Sequence, residues 1–128
     1  MVLDTSAVIA ILQKEEESDR LIDAIAADPV RRMSAGSVVE AGLIMQARYG
    51  DAGERELDLL LNRLRVDVLP VTEEHVEYAR SAYRRFGKGR HHAGLNYGDC
   101  FSYAAAVALN EPLLFVGSDF SKTDVASA

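Results

Sequence analysis

Four carboxylates, Asp4, Glu40, Asp99 and Asp119, stand at the ends or starts of apolar runs, far apart along the chain. A carboxylate beside a core is costly unless something charged offsets it. Brought together, four such groups would form an oxygen-rich pocket for Mg²⁺ or Mn²⁺. An ion held there could acidify a bound water and polarise a phosphate, which is the chemistry of phosphodiester hydrolysis. Each acid also has a plainer role open to it. Asp4 could simply cap a helix. Glu40 could be a solvated acid favoured by a helix dipole. Asp99 could be the third residue of a helix capped by Asn96, and Asp119 a turn residue after Gly117-Ser118.

The elements that would position these acids follow from apolar patterning. Met1-Val2-Leu3 reads as a first strand ending at Asp4. Thr5 and Ser6 offer an N-cap for a helix over 7–14, and Ser18–Ala27 reads as a second helix stopped by Asp28-Pro29. A brief strand at 32–35 leads through Gly36-Ser37, a turn and cap, into a helix over 38–49 closed by Gly50, then a leucine-rich helix over 54–64. A β-branched run at 66–71 reads as a third strand and precedes a helix capped by Thr72 and reaching Phe86. Residues 87–96 are glycine-rich and basic, and read as a loop. The segment 97–109 is apolar all round, which predicts a helix buried on most sides, and 113–116 reads as a fourth strand before a short, frayed tail.

Strands alternating with helices imply a parallel sheet covered on both faces, an α/β fold. Ligands of such sheets bind at the strand carboxyl ends. Asp4 ends the first strand, Asp119 lies just past the fourth, and Glu40 lies in the first turn of the helix after the second. Those three share one edge by topology. Asp99, in the first turn of the buried helix, joins them if that helix runs back through the layer in the ordinary way.

The 128 residues fit one domain spanning 1–128. A lone cysteine, Cys100, excludes an intrachain disulfide framework and suits a reducing, cytoplasmic setting. It reads as a small buried residue, since nothing strongly activating surrounds it. Asp4 interrupts the first apolar run, so no secretory leader is expected, and no apolar stretch approaches the ~18 residues of a membrane span.

The net charge of −6 disfavours a polyanionic partner, but the charge is unevenly spread. Arg84, Arg85, Lys88 and Arg90, with His91 and His92, form a cationic segment shortly before Asp99, suited to contacting several phosphates. A solvated helix end is the alternative. Tyr97 is open to either a core position or stacking on a base. Apolar residues shared between 18–27 and 38–49 suggest a self-association face or a partner helix.

The opening Met1-Val2-Leu3-Asp4-Thr5-Ser6-Ala7, the segment Ser37-Val38-Val39-Glu40, and the run from Gly94 through Asn96-Tyr97-Gly98-Asp99-Cys100-Phe101-Ser102-Tyr103 to Ala104 resemble the PIN-domain ribonucleases. Pro112 to Gly117 with Asp119-Phe120 and Thr123-Asp124 extends the likeness over nearly the whole chain. Within that group the chain is most similar to the toxin components of VapBC toxin–antitoxin pairs. The resemblance implies a three-layer α/β/α sandwich with a central parallel sheet. It also implies a Mg²⁺- or Mn²⁺-dependent endoribonuclease using Asp4, Glu40, Asp99 and Asp119, with Asp124 as an alternative to the last. Thr5 or Ser6 would support the site. A homodimer and a VapB-like antitoxin are the implied protein partners. Other readings are a catalytically inactive module on the same fold, a receiver-type phosphoacceptor domain, and a haloacid-dehalogenase-like phosphatase. A receiver lacks its acidic pair here, because Thr5-Ser6 follows Asp4; the phosphatase lacks its second aspartate, because Ser6 stands there.

Overall fold

The computed structural model describes residues 1–128. Strands β1 (Val2–Leu3), β2 (Arg32–Ser34), β3 (Asp67–Leu69) and β4 (Leu113–Leu114) form one sheet in the order β3-β2-β1-β4. Every neighbouring pair is parallel, with Val2 opposite both Arg32 and Leu113, and Met33 opposite Val68. Parallel neighbours need crossovers. These are supplied by α1 (Thr5–Leu12), α2 (Ser18–Ala27), α3 (Ala35–Arg63), α4 (Glu73–Phe86) and α5 (Tyr97–Leu109).

Successive strand residues point to opposite faces, and the core divides accordingly. Leu3 and Leu114 join Val8, Leu21, Ile25, Met33, Met45 and Leu57 on the side of α1, α2 and α3. Val2 and Leu113 join Ala82, Leu95, Tyr103, Ala106 and Phe120 on the side of α4 and α5. The result is the expected α/β/α sandwich. The chain steps from β1 to β2 to β3 in one direction, then returns to place β4 on the other flank of β1. Such a reversal opens a crevice at the strand carboxyl ends, here between β1 and β4.

The structure corrects several boundaries. Asp4 itself caps α1, which starts at Thr5, so neither Thr5 nor Ser6 is the cap. Ser34, not Ser37, caps α3. The helices expected on either side of Gly50 are there, but the bend is a reversal: Gly50 takes φ 68° and ψ −155°. A straight helix would separate Gly42 from Leu57 by about 22 Å. A Cβ built at Gly42 would instead lie 3.9 Å from the Leu57 side chain, so the two halves pack back to back. The basic segment after Phe86 is pinned rather than open, with Lys88 N–H on Leu95 O and Leu95 N–H on Phe86 O, both at 2.9 Å, over a fully buried Leu95. The C-terminal tail is not frayed. Leu113 N–H donates to Ala126 O at 2.8 Å and Ala128 N–H to Leu113 O at 2.9 Å, continuing the sheet beyond β4. No helix is long and apolar enough to cross a membrane.

Candidate active site

Asp4 leaves β1 at the crevice and is 4% exposed. Both of its carboxylate oxygens are held. Oδ2 accepts from the Ser6 backbone N–H at 2.9 Å and from the Ser6 hydroxyl at 2.6 Å. Oδ1 accepts from the Ser102 hydroxyl at 2.5 Å. Ser102 has only one proton to give, so Ser37, 3.0 Å away, must be the donor in the bond between these two buried hydroxyls. The Ser6 oxygen in turn accepts Val116 N–H at 3.0 Å, and Asp4 N–H donates to Leu114 O at 2.9 Å. Residues from α1, α3, α5, β4 and the segment just after β4 therefore fix one carboxylate. Thr5 contributes to the same frame through its hydroxyl bond to Ser37 O at 3.2 Å.

Asp99 sits at the third position of α5 in a reciprocal cap. Its N–H donates to Asn96 Oδ1 at 2.9 Å, while its Oδ2 accepts Asn96 N–H at 3.0 Å. The plainer reading of this residue is thus true, and compatible with a second role, because Oδ1 makes no bond within the chain. Burial pushes its pKa up to about 6, against the Asn96 backbone hydrogen bond that lowers it, and the charges of Asp4, Asp119 and Glu40 add to the rise. A carboxyl raised first by desolvation and then by neighbouring carboxylates is one that a nearby cation would favour in its ionised form.

Glu40 reaches this cluster through Gly98. A Cβ at Gly98 would lie 1.7 Å from Glu40 Oε2, so only glycine lets the carboxylate lie against the first turn of α5. There the exposed N–H end of the helix favours an anion. Asp4, Glu40 and Asp99 line one pocket of about 320 Å³, together with Thr5, Ser6, Glu15, Arg48 and Asn96. Asp119 does not line it. It is exposed before a 3-10 turn at Phe120–Lys122, within electrostatic reach of Asp99. Asp124 is committed elsewhere: it accepts from Tyr103 Oη at 2.7 Å and from Arg85 at 2.9 Å.

The cations expected at phosphates do not enter the pocket. Arg84, Arg85, Lys88 and Arg90 are exposed; Arg85 pairs with Asp124 and Arg90 lies 5.6 Å from the Tyr83 ring centroid. Tyr97 is 80% exposed, and so is no core residue; its ring meets Phe101 edge-on at 5.0 Å. Burial raises the Cys100 thiol to about 11, leaving it an inert core group at neutral pH.

Sequence reasoning missed Ser37, Ser102, Gly98 and Arg48 as parts of the site. A signal existed for three of them. Ser37 lies three residues before Glu40 and Ser102 three after Asp99, and Arg48 lies eight after Glu40, spacings that share a helix face. The donor set is oxygen alone, as a hard divalent ion requires. As the side chains stand, no three acidic, histidine or cysteine groups close on a common point at ligating distance. The residues nonetheless fit such an ion, since Mg²⁺ keeps several waters and needs only one or two direct carboxylates.

The sequence profile described as "PIN domain" matches residues 1–126. The chain is 51% identical over 127 residues to VapC ribonuclease Mb0640 of Mycobacterium bovis, covering 99% of this chain and 97% of that protein. Among solved structures, the Mycobacterium tuberculosis toxin VapC20, described as cleaving the sarcin-ricin loop, superposes with a TM-score of 0.78 at 18% identity, covering 99% of this chain and 97% of that one. A toxin–antitoxin complex from Klebsiella pneumoniae gives 0.75 at 14% identity, covering 99% and 95%. At those identities the structural likeness speaks for the fold.

Proposed function

The chain belongs to the PIN-domain family, and on that footing we propose that it is an endoribonuclease, the toxin of a toxin–antitoxin pair. The observation that carries the reading is the meeting of Asp4, Glu40 and Asp99, from three distant segments, in one pocket at the reversal of strand order. Asp4 and Asp99 would be the main holders of Mg²⁺ or Mn²⁺, with Glu40 and Asp119 completing the anionic set. A bound divalent ion supplies a more acidic water and offsets charge on the phosphoryl group.

The chain's own residues do the rest. Ser6 and Ser102 lock Asp4 in one rotamer, so its oxygens face the pocket without reorganisation. Asp99 Oδ1, unbonded within the chain, is left for the ion or one of its waters, and one carboxylate of the set accepts the proton of the attacking water. Glu40, laid against the α5 N-terminus, adds negative charge opposite Asp99. Arg84, Lys88 and Arg90 are assigned to RNA phosphates beyond the pocket, where exposed cations act at little structural cost. Arg85 is at most a weak contributor, being tied to Asp124.

A VapB-like antitoxin and a second copy of the chain are the proposed protein partners, and the cytoplasm the proposed setting. Support comes from an apolar groove of about 450 Å³ beside the pocket, which shares Glu40 and Ile44 with it. Val39 and Leu43 in that groove are 61% and 64% exposed, whereas the core-facing Leu21 and Ile25 of α2 are buried. The test is cleavage of structured RNA with Mg²⁺ or Mn²⁺ by the parent, Asp4→Asn and Asp99→Asn. Loss in both variants is expected. Equal cleavage by all three rejects the assignment.

A further inference from the structure

The acidic pocket has one cation in its wall, Arg48, which the hydrolytic scheme leaves without a task. Glu40, Ile44 and Arg48 are spaced by four residues on one face of α3, and all three line the pocket. The guanidinium is exposed and takes part in none of the molecule's ion pairs, although four carboxylates, Asp4, Glu15, Glu40 and Asp99, line the same cavity. A cation serving only to quench those acids would be paired with one of them. This one is left free at the rim.

Its position says which anion it meets. Eight residues of helix rise place the Arg48 backbone about 12 Å beyond that of Glu40. Side chains lean toward the helix N-terminus, which turns Arg48 back toward the acids without bringing it among them. A phosphate lodged at the acids would therefore leave Arg48 facing the next one along the strand. Guanidinium offers a planar fork of donors that matches phosphate oxygens. Resting on the ribonuclease reading, we infer that Arg48 binds the RNA phosphate adjacent to the one hydrolysed and sets the register of the strand in the pocket. It is a substrate-positioning residue, and it is the pocket's own counterweight to the repulsion between RNA and four carboxylates.

The test measures binding as well as turnover. In an Asp99→Asn background, which blocks cleavage, fluorescence anisotropy of a mixed-sequence single-stranded RNA in Mg²⁺ gives Kd across a range of KCl concentrations. A backbone contact needs no particular sequence. Adding Arg48→Gln should weaken binding about tenfold and flatten the log–log salt slope by about 0.7, the value for one lost phosphate contact on a single strand. Arg48→Lys should restore the slope but only part of the affinity, since it keeps the charge and loses the fork. Thermal melting should not move, because the side chain has no partner in the fold. Unchanged Kd and slope, no binding by the Asp99→Asn protein itself, or a lowered melting point with an unchanged slope would each overturn the inference. Turnover by the unmutated chain is measured alongside. Absent turnover with an intact Arg48 effect removes the ribonuclease reading and leaves Arg48 as a phosphate contact of the pocket; normal turnover with no Arg48 effect removes this inference alone.

Discussion

Replacing Asp99 by asparagine should stabilise the metal-free protein at neutral pH while abolishing cleavage. Asp99 ordinarily titrates at 3.8 and here at about 6, chiefly because it is desolvated, with the charges of Asp4, Asp119 and Glu40 adding to the rise. A folded-state pKa above the unfolded value means that the native state binds the proton more tightly. Stability from this group is therefore fully present below the unfolded value and is lost as pH rises through about 6. A rise of that size corresponds to roughly 3 kcal/mol. Solvent screening at this partly exposed carboxyl reduces it to about 2 kcal/mol. Asparagine carries no charge and escapes that loss. Its amide oxygen can still accept Asn96 N–H, though less strongly than a carboxylate, at a cost of about 1 kcal/mol. The variant should therefore be about 1 kcal/mol more stable than the parent near neutrality. Near pH 4 it should be level or slightly weaker, because the folded parent there carries its proton and most of the penalty is gone. Urea unfolding of both proteins in chelator at the two pH values measures this, and the difference between them cancels the carboxylates remote from Asp99, leaving its own titration and its coupling to Asp4, Asp119 and Glu40. Adding Mg²⁺ or Mn²⁺ should then stabilise the parent more than the variant, because a ligand of the folded state raises its stability by mass action. A gap that does not change with pH, or a variant weaker than the parent at neutrality, would refute the account of Asp99 as a carboxyl strained by its surroundings.

Gly98→Ala should displace the Glu40 carboxylate that a Cβ would strike. Loss of cleavage with a destabilisation of about 1–3 kcal/mol is expected from activity and melting assays, and an unaffected enzyme would show that Glu40 has no role there. Ser102→Ala removes a donor from Asp4 and a partner from Ser37; it should cost about 1.5–3 kcal/mol in urea unfolding and lower turnover. Asp124→Asn should leave cleavage unchanged and cost under about 1 kcal/mol, because its pair with Arg85 is half exposed. Strong loss of turnover in that variant would return Asp124 to the site.

Much of this molecule was legible before its folding. The strand–helix alternation, the apolar segment that became α5 and the placement of Asp4 at the end of β1 are local matters, written in apolar periodicity and capping residues. Family likeness in segments such as Asn96-Tyr97-Gly98-Asp99 then pointed to the chemistry. Contacts across the chain were not legible: spacing puts Ser102 on the helix face of Asp99, but nothing in its neighbourhood announces that its hydroxyl meets Asp4, 98 positions away. Only the packed helices show that Gly98 is a space for Glu40, that Asp119 stands outside the pocket wall while Arg48 stands within it, and that Asp124 is bound to Arg85 and Tyr103. Periodicity specifies which face of an element is buried. Which residues meet across two buried faces depends on how closely the backbones approach, and that is settled only when the layers close.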